Sequence, residues 1–152
     1  MREARGAFVV TDDPAAIDLD VVHDFLASSY WAANIPRATL EKAVAHSLCF
    51  SLLKDGRQIG FARCVTDRAT YAYLADVFVL ELERGAGVGT WFMQVVFSHP
   101  DLQGLRRFQL ATRDAHGLYR KFGFDEPAHP ERLMEIVRTA AEVYGLGDGG
   151  AR

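Results

Sequence analysis

The sequence predicts an α+β domain, α/β in its strand–helix–strand passages, and three observations predict it. Tyr71, Tyr73, Ala75, Val77 and Val79 alternate with Ala72, Leu74, Asp76 and Phe78 in a run rich in β-branched and aromatic residues. This reads as a strand that is apolar on both faces and therefore central. The glycine-rich turn Arg84-Gly85-Ala86-Gly87-Val88-Gly89-Thr90 follows it and opens into the unbroken apolar run Trp91–Phe97, which reads as a helix. Upstream, Lys54-Asp55-Gly56-Arg57 joins two apolar runs, and Asp-Gly favours the positive φ angles of a type I′ hairpin turn.

Taken in order, Gly6 to Thr11 is a short apolar strand closed by Asp12-Asp13-Pro14. Asp18 is placed to cap a helix running to about Ser29, with Leu19, Val22, Phe25 and Leu26 on one face. Tyr30 to Pro36 interrupts it, and a second helix runs from about Arg37 to His46 with Leu40, Ala43 and Val44 inward. Ser47–Leu53 and Gln58–Thr66 are the hairpin strands, and Asp67-Arg68-Ala69 turns into the central strand. Ser98-His99-Pro100 stops the glycine-loop helix. Asp101–Arg106 is a loop and Arg107–Thr112 a strand. Asp114 can cap a short helix in which Ala115, Leu118, Tyr119 and Phe122 share a face, and Gly123 ends it. Leu133–Arg138 (LMEIVR) is predicted as a last strand. Residues 1–140 are expected to form one domain and 141–152, glycine-rich from Tyr144 onward, a flexible tail.

At 152 residues, with 49% hydrophobic and 24% charged residues, the chain has an ordinary globular balance and length enough for a real core. A net charge of −3 gives no global field favouring nucleic acid or an anionic membrane. No apolar run is long enough to span a bilayer, and the first residues lack a signal-peptide core. Cys49 and Cys64 lie in strand-like segments. They could be neighbours across a sheet, but two buried thiols in a cytoplasmic protein is the favoured reading. No Cys/His cluster has metal-ligand spacing, so no metal is expected.

A glycine loop that opens a helix leaves the first N–H groups unpaired at the positive end of the helix dipole, a site for phosphate. A Walker loop needs Gly-Lys-Ser/Thr, and here Gly89 is followed by Thr90 and Trp91. A dinucleotide fingerprint needs a third glycine where Thr90 or Phe92 stands. What fits is Arg84-x-x-Gly87-x-Gly89, which resembles the R/Q-x-x-G-x-G/A motif of the GNAT superfamily of N-acetyltransferases. Downstream, Asp114-Ala115-His116-Gly117-Leu118-Tyr119-Arg120-Lys121-Phe122-Gly123-Phe124 is similar to the A-x-x-L-Y-x-K-x-G-F segment of the same superfamily. Order, spacing and context match together, from about Gly6 to Arg138.

The resemblance implies the acyl-CoA N-acyltransferase fold: a mixed, mostly antiparallel sheet flanked by helices that splays open after the central strand. It implies transfer of an acetyl group from acetyl-CoA to an amine of a small-molecule or peptide acceptor. Backbone N–H groups of Arg84, Gly85, Ala86, Gly87, Val88, Gly89 and Thr90 would bind pyrophosphate. The main chain of Val77, Phe78 and Val79 would pair with pantetheine. Tyr119 would be the general acid near the coenzyme sulfur, its other reading being an amphipathic core tyrosine. Many members carry a glutamate earlier on the central strand, and Tyr71–Leu74 holds no carboxylate.

Asp76 is the acidic residue in that strand's interior. It either faces the cleft, attracting a cationic amine or relaying its proton through water, or is a structural aspartate accepting backbone hydrogen bonds. His116 could also serve, or lie at the surface. Thr112 stands where the family often has asparagine. Tyr30 and Trp31 either form the acceptor wall or staple the helices to the sheet. The alternative function is a non-catalytic acyl-CoA-binding module, and pairing through the last strands into a homodimer is a further expectation.

Overall fold

The computed structural model describes residues 1–146. One six-stranded sheet runs in the order β1-β2-β3-β4-β5-β6, antiparallel throughout except for the last, parallel pair. Its strands are β1 (Arg2–Arg5), β2 (Phe8–Thr11), β3 (Leu48–Lys54), β4 (Arg57–Thr66), β5 (Tyr71–Val79) and β6 (Arg107–Leu110). The helices are α1 (Leu19–Ala27), α2 (Arg37–Ala45), α3 (Val88–Phe97), α4 (His116–Arg120) and α5 (Ala140–Tyr144).

Local chemistry accounts for most of the element ends. The Asp18 carboxylate accepts from the N–H groups of Asp20 (3.1 Å) and Val21 (3.3 Å), capping α1. Asp55 and Gly56 have φ of 49° and 78°, the pair of positive values a two-residue β3–β4 turn requires. Gly123 ends the α4 segment with φ of 93°.

The core lies on both faces of the sheet. Helix α3, with Phe92 and Val96 fully buried, covers one face against Val10, Phe50, Ala62, Cys64 and Leu74. Helices α1 and α2 cover the other, packing Val22, Leu26 and Leu40 against Cys49, Phe61 and Phe78. Cys49 and Cys64 therefore point to opposite faces and are free thiols.

Four features depart from the sequence reading. Residues 2–5 form a strand of their own, exposed along its whole length, so Gly6 turns a hairpin rather than starting a strand. The Leu133–Arg138 segment is not a strand, because no neighbouring backbone pairs with it. Its Met134 and Ile136 are 98% and 95% exposed. Residues 141–144, expected as tail, belong to helix α5, whose Thr139–Glu142 capping box closes its first turn, while 147–152 lie outside the described residues.

Finally, the alternation of β5 breaks at Asp76, where φ is +55°. Phe61 pairs with Phe78 and Arg63 with Ala75, so two residues of β5 oppose Ala62 alone. This bulge reverses the phase: Ala72 and Leu74 pack under α3, whereas Phe78 packs under α1.

Candidate active site

The site begins where β5 and β6 part. Their parallel pairing ends at Leu74 with Leu110, and Val77–Val79 run on with no strand partner on that side among the described residues. Gly60 on β4 sits behind this end of β5. A Cβ there would lie 2.8 Å from the Phe78 carbonyl oxygen, so only glycine allows the two backbones to close this far.

Beyond β5 the chain turns through Gly85 (φ 105°), Ala86 (52°) and Gly87 (73°) into α3. Helix α3 starts with no side-chain cap. Val88 donates to Gly85 O and Trp91 to Gly87 O, whereas the N–H groups of Gly87, Gly89 and Thr90 have no partner among the described residues. A Cβ built on Gly85, Gly87 or Gly89 meets nothing within 4 Å. Uncapped donors at a helix start, beside space kept free of side chains, are what an anionic diphosphate needs.

A cleft of about 450 Å³ joins this loop to α4. Val77, Phe78, Val79, Arg84, Gly85, Gly87, Val88, Gly89 and Thr90 all line it, and Ala115, Leu118 and Tyr119 form its far wall. Ala86 does not line it, and its carbonyl instead accepts from Arg5 at 3.5 Å. Arg84 donates from Nε to the Val79 carbonyl (2.8 Å), which ties the loop to the end of β5 and takes that acceptor from the strand. Tyr119 is 8% exposed, and its hydroxyl has no partner among the described residues. Burial pushes its phenol up to about 12, so it is a neutral hydrogen-bond donor at ordinary pH.

The sequence profile of the Acetyltransferase (GNAT) family matches residues 19–124, from the first turn of α1 to the end of the α4 segment. The chain belongs to that family.

This GNAT protein is 32% identical over 140 residues to the candidate acetyltransferase FG08082 of Gibberella zeae, covering 77% of this chain and 78% of that one. Its backbone superposes on a GNAT-family protein from Xanthomonas campestris pv. campestris with a TM-score of 0.87 at 48% identity, over 90% of this chain and 96% of that chain. A third likeness is one of fold alone: N-acetylglutamate synthase from Neisseria gonorrhoeae has a TM-score of 0.64 at 17% identity, covering 88% of this chain and 31% of that one. The protein is therefore a transferase of the acyl-transfer class.

The remaining predicted residues do not line the GNAT cleft. Asp76 turns both oxygens to donors: Arg63 Nε at 2.7 Å and Trp31 Nε1 at 3.0 Å. Arg63 also donates to Ser47 Oγ (3.1 Å), and the ion pair is largely screened from solvent. The structural reading of Asp76 is thus the one the geometry displays, although its donors include side chains of two other elements rather than backbone. Tyr30 and Trp31 pack edge to face at 5.1 Å, and Trp31 also meets Phe25. Both remain substantially exposed, and Asp76 holds Trp31 through its indole N–H.

Three residues were not singled out by sequence. Arg113 places its guanidinium carbon 3.9 Å from the centre of the Tyr30 ring, bridging the β6–α4 loop to the α1–α2 loop. Arg5 lies 5.0 Å over the Trp91 ring, beside the glycine loop. Arg63 is the third. Isolated arginines carry no spacing signal, and only the fold shows what each one meets. Thr112, expected to lose an amide contact, accepts from the Ala115 N–H at 3.0 Å and closes the turn before α4. Asp114 does not cap that helix. His116 is exposed and lines a separate, larger cavity. Among the described residues no cluster of His, Cys, Asp and Glu could hold a metal ion, and no helix is long and apolar enough to cross a membrane.

Proposed function

We propose that the protein is an N-acetyltransferase that carries the acetyl group of acetyl-CoA to a primary amine. One observation bears most of this reading: the unpaired N–H groups of Gly87, Gly89 and Thr90 open onto a cleft whose far wall is Tyr119. The residues fit the coenzyme. The loop supplies donors and open space for pyrophosphate, with Arg5 and Arg84 nearby as cations. The unpaired side of Val77–Val79 is exposed backbone for the pantetheine amides. The fold neighbour from Neisseria gonorrhoeae was solved with coenzyme A and N-acetyl-glutamate, which supports an amine acceptor and this donor.

When bound, the thioester supplies an activated acyl carbon and a thiolate leaving group. The chain's own residues then have three tasks. The glycine loop fixes the diphosphate, Tyr119 Oη offers a hydrogen bond where negative charge collects, and Tyr30 and Trp31 wall the approach of the amine. Asp76 keeps that wall in register through Trp31. The buried reduced thiols of Cys49 and Cys64 favour a cytoplasmic setting.

The engagement of both Asp76 oxygens favours a second reading, an acyl-CoA-binding module without catalysis, since β5 then offers no free carboxylate base. A screen of acetyl-CoA consumption over chemically diverse amines separates the two. Free thiol released in proportion to acetylated amine supports the enzyme. A melting shift by coenzyme A with no turnover on any amine supports the module. A shift by ATP or NAD but not by coenzyme A overturns both.

A further inference from the structure

We propose that Arg113 selects the acceptor: the amine carries an oxyanion, a carboxylate or a phosphate, and the Arg113 guanidinium binds it. The inference rests on the acetyltransferase reading above and adds the acceptor's chemical class to it.

One loop rejoins the two strands that part. Leu74 and Leu110 are the last paired residues of β5 and β6. Just past them, Asp76 on β5 accepts from Trp31 Nε1 at 3.0 Å, and Arg113 lies over Tyr30 with its guanidinium carbon 3.9 Å from the ring centre. Tyr30 and Trp31 meet edge to face. The α1–α2 loop therefore spans the gap between the diverging chain segments. It does so on the α1 side of the sheet, where Trp31 meets Phe25. The cleft lined by Val88, Phe92 and Tyr119 lies on the α3 side. A coenzyme in that cleft has α3 and α4 beside it, so on this reading the amine comes from the side that the loop spans.

The charges on that side do not balance. Asp76 engages Arg63 and Trp31 with its two oxygens, so its carboxylate is not open to an ammonium group. Arg113 has no counter-ion among the described residues. It makes no ion pair, even with the adjacent Asp114, and its N–H groups have no acceptor. Arginines that act as struts in this fold end on an acceptor: Arg63 on Asp76, and Arg84 on the Val79 carbonyl. Arg113 is held by its face instead. A guanidinium over an aromatic ring is fixed in place while its donors stay free at the edge of its plane, in the fork that fits a carboxylate or a phosphate. A purely cationic acceptor would meet an uncompensated positive charge here, whereas an oxyanion on the acceptor neutralises it.

Initial rates over matched amines test this. Each α-amino acid is compared with its amide, and each aminoalkyl phosphate with the parent amino alcohol, for the wild type and for Arg113→Met, which keeps an unbranched stem and removes the charge. The wild type should favour one acidic series over its neutral counterparts by about tenfold or more in kcat/KM, with the difference in KM. The series that shows the preference identifies the oxyanion. Arg113→Met should bring the ratio to about one, and Arg113→Lys should restore part of it, because lysine keeps the charge and loses the fork. A wild type that acetylates amines with no preference for acidic ones overturns the inference and leaves the acetyltransferase reading standing. A preference that survives Arg113→Met overturns it as well, since another cation then reads the acceptor. Equal losses on acidic and neutral amines do the same, since Arg113 would then only support Tyr30. Coenzyme A binding without turnover of any amine overturns the enzyme reading and this inference with it.

Discussion

Tyr119→Phe deletes one oxygen and keeps the ring that packs against Phe124. The expected loss follows from the environment of that oxygen. Burial pushes the phenol up to about 12, whereas an ordinary thiol loses its proton near ~8.5. Full proton transfer from Tyr119 to a departing thiolate is thus uphill by ~3.5 pKa units, about 5 kcal/mol. The phenol acts instead by donating a hydrogen bond to sulfur as charge develops. A hydrogen bond to a charged group contributes about 1.5–3 kcal/mol. Turnover should therefore fall roughly 10–150-fold, with little change in affinity for coenzyme A, whose diphosphate the proposed function puts at the other end of the cleft. Initial rates of thiol release, measured with an amine found in the screen, give the first quantity. Calorimetric titration of coenzyme A gives the second. Because the phenol keeps its proton until about pH 12, this group should impose no fall in rate between neutral pH and ~10. Equal turnover by mutant and wild type would remove Tyr119 from the chemistry. A loss beyond ~10⁴ would refute the hydrogen-bond argument and require complete proton transfer.

Gly89→Ala adds a methyl group where the chain itself leaves open space, inside the first turn of α3. Alanine is favoured in helices by up to ~1 kcal/mol, so melting should hold or rise while coenzyme A binds about tenfold or more weakly, and unchanged affinity would exclude this turn from the phosphate grip. Asp76→Ala strands Arg63 in a largely screened position and frees Trp31. It should cost about 3 kcal/mol in urea unfolding, with Asp76→Asn milder because it still accepts from Trp31, and a loss under ~1 kcal/mol would show that the pair does not hold the rim. Burial raises the Cys49 and Cys64 thiols from 9.0 to about 12. The folded chain holds these protons more tightly than the unfolded one, so stability is full below pH 9 and declines as pH rises from 9 toward 12, by up to ~4 kcal/mol per thiol. Thermal melts from pH 8 to 11 should fall accordingly, and a flat profile would contradict the burial of both thiols.

Much of this architecture was legible because its signals are local. The β5 pattern, the Asp55-Gly56 turn and the Arg84–Thr90 loop each encode their geometry within a few residues, and they lie where the sequence placed them. The errors share a different origin. Strand β1 (REAR) has no buried face, so no alternation betrays it, and its pairing with β2 alone makes it a strand. Leu133–Arg138 has the converse problem: a strand's composition without a neighbour in its own chain. The reversal of phase at Asp76 turns on one extra residue, which leaves an unbroken apolar run on either side and no mark in composition. Arg5, Arg63 and Arg113 reach the site across long sequence separations. The α5 cap was the exception, since Thr139-Ala140-Ala141-Glu142 spells a capping box that the glycine-rich surroundings obscured.

The close approach of Gly60 to Phe78 separates two kinds of change open to this protein. The end of β5, where the proposed function puts the thioester, is braced from behind by main chain, and side-chain substitution cannot readily shift it. Tyr30, Trp31 and Arg113, by contrast, are loop side chains resting on one another. On the proposed function, changes among these loop side chains would alter the acceptor while the backbone that would carry the thioester stays put, so a single scaffold could serve many amines without relearning its chemistry.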